Sequence, residues 1–244
     1  MMSKVLIVIA LMSVYVTSWA ERPEALNFPL DYELLEKGKM QAEVQLLEEP
    51  GRGEKKLVIG VQLINATADQ TWALVRDVEG QINYVPNLEL FDTVHTFEKT
   101  NTYRHILANI KLDVPIVNVQ YTLDYHIDDT QRLHYWTMLT PKERKSFRRD
   151  GIKTLRPGFG LTAIKGLGYI EPYEKDPSKS LYYYLNDITS SMPVPGMLER
   201  ALTKSTLREY MLSIRVVLEG DHVLAELEAE KPKRRFGKKF GSRR

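Results

Sequence analysis

From Met40 the chain alternates: Met40, Ala42, Val44 and Leu46 fall on one side, Gln41, Glu43 and Gln45 on the other. That is the period of a half-buried strand. Pro50-Gly51-Arg52-Gly53 interrupts the run and residues 56–64 resume it, which predicts a hairpin. The period then changes. Thr67 stands as an N-cap before Asp69 and Gln70, so a helix is expected over 68–77, followed by another helical turn over 81–84 that Pro86 stops. Asn65-Ala66-Thr67 also spells a glycosylation sequon, but a strand-to-helix junction has more need of Thr67 as a cap. On this reading Trp72, Val75, Val78 and Tyr84 seal one end of a sheet over an apolar interior.

Strands are expected next over 90–97, 102–112, 118–127 and 132–139, then, after a basic, glycine-rich excursion over 142–166, over 167–174 and 180–187. The third of these places Val119, Tyr121, Leu123, Tyr125 and Ile127 on one face. A long helix over 195–218 closes the pattern, with apolar residues recurring near every 3.6 positions. Strands followed by a packing helix, rather than alternating with helices, argue for an α+β domain.

The segments outside this pattern have their own compositions. Lys4, the apolar run 5–16 and Ser18-Trp19-Ala20 resemble a signal peptide, so 1–20 is expected to be removed after Ala20 and the protein exported, to a periplasm or beyond. The run is shorter than the roughly 20 apolar residues of a membrane span. Residues 21–39 form an N-terminal arm, 40–220 the domain and 221–244 a tail. The formal charge of +2 hides an asymmetry. From Lys231 to Arg244 the tail holds eight Lys or Arg and no acid; apart from these and Lys4, 25 of the 34 bases remain against all 32 acids. An acidic body trailing a basic thread suggests transient contact with an anionic membrane surface. It does not suggest nucleic-acid binding, which calls for a basic groove interleaved with aromatics.

Motifs exclude much chemistry. Without cysteine there is no disulfide scaffold, thiolate metal site or cysteine nucleophile. No Gly-x-Ser-x-Gly elbow or His-Glu-x-x-His string occurs. The aromatics are the stronger signal, since a tyrosine presents an apolar body with a polar tip. Candidate cavity residues on the strands are Tyr121, Leu123, Tyr125, Tyr135, Trp136, Tyr169, Tyr182 and Tyr184. Arg104 and His105 join them as alternatives, because neighbours on a strand point to opposite faces. The helix contributes Met197, Leu198, Ala201, Leu202 and Met211. Two loops are candidate gates, one with Pro157, Gly158, Phe159 and Gly160, the other with Met192 and Pro193. Asp124 and His126, opposite the apolar face of their strand, are expected to be solvent-side cross-strand partners.

The order hairpin, two short helices, antiparallel strands, long terminal helix resembles the START-like, or polyketide cyclase (SRPBCC), superfamily with its helix-grip fold. The most distinctive string runs from Ala68 through Trp72, Leu74, Asp77 and Glu79 to Tyr84-Val85-Pro86. The resemblance implies a curved antiparallel sheet gripping the terminal helix around an elongated apolar cavity, over roughly 40–218. It implies an exported, monomeric START-domain protein that binds a hydrophobic small molecule, lipid or isoprenoid-like, for transport or sequestration, without cofactor. A cyclase or aromatase using a pocket Tyr, His or Arg is the alternative. The oxygenase branch binds iron through two His and a carboxylate; the five histidines here have no such local spacing, and no metal is expected.

Overall fold

The computed structural model describes residues 22–49, 53–114, 117–158, 160–190, 204–220 and 222–224. Eight strands form one antiparallel sheet: β1 (Gln41–Glu49), β2 (Gly53–Ile64), β3 (Leu88–Lys99), β4 (Tyr103–Val114), β5 (Val117–Asp128), β6 (Leu133–Met138), β7 (Leu161–Pro172) and β8 (Ser180–Ser190). Their spatial order is β1-β2-β8-β7-β6-β5-β4-β3, so the first hairpin docks on the last strand. With a terminal helix against its inner face, this is the helix-grip architecture.

α1 (Tyr32–Glu36) lies in the arm before the hairpin, and between the hairpin and the remaining strands lie α2 (Ala68–Val75) and a 3-10 turn at Gly80–Asn83. Thr67 caps α2 through a full capping box: its hydroxyl accepts from the Gln70 amide at 3.2 Å, and the Gln70 side chain accepts from the Thr67 amide at 3.0 Å. Trp72, Val75 and Val78 are buried against the sheet, and the Trp72 indole donates to Asp129 at 2.9 Å.

The excursion after β6 is not an open loop. Thr140 builds a second capping box with Glu143, Pro141 occupies the first turn, and α3 (Pro141–Arg149) follows. The segment behind it is strapped to the outer face of β4 and β5. The Leu155 amide donates to the Thr122 hydroxyl at 2.8 Å, that hydroxyl donates to Asn109 at 2.6 Å, and Asn109 donates to the Lys153 carbonyl at 3.0 Å. Six residues read as loop belong to β7, which begins at Leu161. The strap also patches a short wall: β6 pairs with β5 only as far as Leu123, and beyond it the Gly158 amide bonds the Gln120 carbonyl at 2.9 Å.

Both faces of the sheet are covered in part. Its inner face packs on α4 (Lys204–Glu219), about 24 Å long at 1.5 Å per residue, through Leu207, Met211 and Ile214. The expected helix residues 195–203 lie outside the described residues. The outer face of β2, β8 and β7 is covered by the arm, whose Leu26 and Leu35 are wholly buried with Val61, Leu63, Tyr169 and Tyr183. α4 is fastened at its far end by Arg215 and Glu219, paired at 2.8 Å with side chains 7% and 1% exposed. Arg215 donates to the Gly38 carbonyl and Glu219 accepts from Asn65, which ties helix, arm and β2 together.

Candidate functional site

Strand register decides what faces the helix. One row across the sheet reads Ile106, Tyr125, Trp136, Gly166, Asn186, Val58; the next reads Ile127, His134, Gly168, Tyr184, Gly60. The two glycines of β7 make room for large neighbours. A Cβ on Gly166 would stand 2.3 Å from the Trp136 ring, and one on Gly168 would stand 1.9 Å from His134 Nε2. With glycine at both places, Trp136 and His134 lie across β7, and Trp136 stacks on Tyr125 at 5.6 Å and 9°.

Between these rows and the start of α4 lies a cavity of about 180 Å³. Its wall is apolar on β4 and β5 (Ile110, Leu112, Val119, Leu123), aromatic in the middle (Tyr121, Tyr125, Trp136, Tyr184), and closed by Phe91, Leu207 and Tyr210. The exposed residues Pro86 and Glu209 mark its mouth, between the 3-10 turn and α4.

Two kinds of polar group meet this space. The first kind is satisfied: the Tyr125 hydroxyl bonds His134 Nδ1, His134 Nε2 meets the Tyr182 hydroxyl at 3.2 Å, and Tyr182 meets the Tyr210 hydroxyl at 3.0 Å. Complete burial lowers the His134 pKa to about 3, so its imidazole is neutral and has a single N–H for two partners. Burial also drives Tyr125, Tyr182 and Tyr210 well above the usual phenol range. The second kind is unsatisfied. Asn186 Oδ1 is buried in the cavity wall with no hydrogen-bond partner among the described residues. Tyr184 stands two residues away on the same face of β8, and Tyr121 faces it from β5; burial raises both, Tyr121 to about 12.

Of the residues singled out from sequence, Tyr121, Leu123, Tyr125, Trp136 and Tyr184 stand in the cavity wall. Tyr182 lies directly behind it, fully buried. The others lie elsewhere. Arg104 ends the inner face of β4 but turns away, bonding Glu79 at 3.3 Å and the Arg76 carbonyl at 3.4 Å. His105 points outward, so neither Arg104 nor His105 lines the cavity, because the chain closing over that end takes up the arginine. Tyr135 is on the outer face, since its neighbour Trp136 points in, and Tyr169 is in the outer core beneath the arm. Met211 is fully buried in the helix–sheet core without reaching the cavity wall. Pro157 and Gly158 belong to the strap and do not border the cavity; Gly160 follows in the turn before β7. Phe159, Met192, Pro193, Met197, Leu198, Ala201 and Leu202 lie outside the described residues. Asn186 and His134 were absent from the expected cavity set. Strand alternation from Tyr184 finds the first, whereas the second depends on glycine at 168.

No protein-family model matches the chain, and no curated protein matches it. Among solved structures it is similar to the Zhui aromatase/cyclase of Streptomyces sp. R1128, at 16% identity over 68% of this chain and 94% of that one, TM-score 0.49. It is similar to a START superfamily protein of Mycobacterium smegmatis, at 14% identity over 67% and 97%, TM-score 0.48. A STAR-related lipid transfer protein of Xanthomonas axonopodis is similar at 14% identity over 72% and 98%, TM-score 0.46.

Proposed function

We propose that this chain is a ligand-binding protein whose cavity holds a small amphipathic hydrophobe, a ring system or short acyl segment with one polar group, for transport or sequestration. The observation that carries this reading is an apolar cavity with a buried acceptor in its wall, Asn186 Oδ1, that has no partner among the described residues. An unmet buried polar group costs roughly 1–3 kcal/mol, a cost that a ligand hydroxyl removes on binding. Size narrows the class. A cavity of roughly 150 Å³ suffices for benzene, so about 180 Å³ suits one or two rings better than a two-chain lipid. Burying on the order of 200 Å² of apolar ligand surface supplies about 5 kcal/mol before association costs.

Acid–base catalysis of the cyclase kind is the weaker reading. A general acid or base works best with a pKa near the working pH, whereas His134 is displaced to about 3 and the cavity tyrosines are displaced upward. Export after Ala20 and a membrane dwell through residues 231–244 complete the proposal; both rest on composition alone.

Calorimetric titration with 2-naphthol and naphthalene tests the reading. Wild-type protein is expected to prefer the naphthol by about tenfold, the value of roughly one hydrogen bond, and Asn186→Leu to lose that preference while still binding naphthalene. Equal binding of both by the wild type would refute the polar contact; failure to bind either would refute the cavity ligand.

A further inference from the structure

The outer face of β4 and β5 holds a second constellation, unrelated to the cavity. His105 and His126 are direct cross-strand partners, and their rings stack at 4.1 Å and 17°. Asp124, two residues before His126 and on the same face, places Oδ1 at 2.5 Å from His105 Nε2 and 3.6 Å from His126 Nε2. One ligand atom from each of the three residues lies within 4.8 Å of the other two. Bonds of roughly 2.0–2.2 Å to an ion bring two donor atoms to within about 4.2 Å, so small side-chain rotations suffice.

The two rings are held on both sides. Phe97 packs on His105 at 4.4 Å, and Tyr135 stacks on His126 at 4.4 Å and 10°. The Tyr103 hydroxyl meets His126 Nδ1 at 2.6 Å. A partner on the far ring nitrogen fixes tautomer and orientation, as outer-shell groups do around bound metals. With Nδ1–H donating to the Tyr103 oxygen, His126 Nε2 turns a lone pair toward Asp124. The side chains of His105, His126 and Asp124 remain 25%, 18% and 37% exposed, which leaves an entry path and room for water as a further ligand. An ordinary cross-strand ion pair would need one histidine; here a single carboxylate oxygen is approached by two.

We propose that His105, Asp124 and His126 form a site for one divalent d-block ion of the zinc class, bound through two imidazole nitrogens and a carboxylate oxygen with water completing the shell. Imidazole with carboxylate suits Zn²⁺, Co²⁺, Ni²⁺ and Cu²⁺ over Ca²⁺ or Mg²⁺, which take oxygen ligands. On binding, the ion takes the place of the proton between His105 Nε2 and Asp124, and the neutral His105 ring carries its one N–H on Nδ1 instead. The ion then clamps β4 to β5 on the face away from the cavity.

Untagged full-length protein titrated with Co²⁺, followed by its visible d–d bands and then by Zn²⁺ displacement, tests this. One ion per chain is expected, with a higher melting temperature in Zn²⁺ than in EDTA. His126→Ala and the near-isosteric Asp124→Asn should each weaken binding by about 100-fold or more, and Tyr103→Phe, which removes only the outer-shell partner, by about 10–100-fold. Melting in EDTA checks that each variant folds; Tyr103→Phe keeps the test intact should His126→Ala not fold. Absence of d–d bands in the wild type, or equal affinity in wild type, Asp124→Asn and Tyr103→Phe, would overturn the assignment.

Discussion

Acid should unfold this protein through one residue in particular. His134 is wholly buried between Tyr125, Tyr182 and the bare backbone of Gly168, and its pKa falls to about 3. In the unfolded chain a histidine titrates near 6.5. The group is therefore depressed on folding: its contribution is fully present above pH ~6.5 and is lost as pH falls toward ~3, because the unfolded state takes up the proton first. Each pH unit in that window costs about 1.4 kcal/mol, roughly 5 kcal/mol in all and about 2 kcal/mol between pH 7 and pH 5. Carboxylates held low by their partners, such as Glu79 and Glu219, add acid sensitivity of their own. That part is common to wild type and His134→Gln, so the difference between them isolates the imidazole. Urea unfolding of both proteins at pH 7 and pH 5 is the assay. The wild type should lose about 2 kcal/mol more than the variant over that interval. Parallel losses in the two proteins would refute the claim that a neutral, buried imidazole holds the cavity floor.

Three further substitutions probe the frame. Trp72→Ala removes the indole that packs α2 on the sheet and should cost about 3–5 kcal/mol in chemical denaturation; a cost under about 1 kcal/mol would show that α2 does not seal the core. Gly168→Ala forces a methyl group against His134 Nε2 and should destabilise by about 1–3 kcal/mol, with a shift in the His134 ring resonances by NMR. Glu219→Ala leaves Arg215 buried on α4 without its carboxylate and should cost about 3–5 kcal/mol, read as a lower urea midpoint.

Much of the fold was legible because it rests on local signals. The alternation on β5 assigned Tyr121, Leu123 and Tyr125 to one face, and Thr67 with Gln70 announced α2. α3 was hidden for a physical reason. It carries a capping box and an N-terminal proline, but it is so basic that no apolar stripe marks it, and its purchase on the sheet comes mainly from Phe147 against Phe97 and from the strap behind it. The site was harder to read. Within one strand, alternation says that Tyr135 and Trp136 part company, but not which of them turns inward. That depends on register with β5 and β7, which also decides that Tyr169 falls under the arm while Tyr184 reaches the cavity. Register likewise brings His105 beside His126 across 21 residues of sequence, a proximity that local spacing does not reveal.

The central claim is that the space between the curved sheet and α4 is built to hold a guest. Native mass spectrometry of the protein isolated from its own cells, with organic extraction of whatever it retains, tests this most directly. One small molecule per chain is expected, apolar apart from a hydroxyl or similar donor, and it should be lost when Leu112→Trp fills the cavity. Protein that emerges at its bare mass, and that takes up no hydrophobe when offered one, would contradict it.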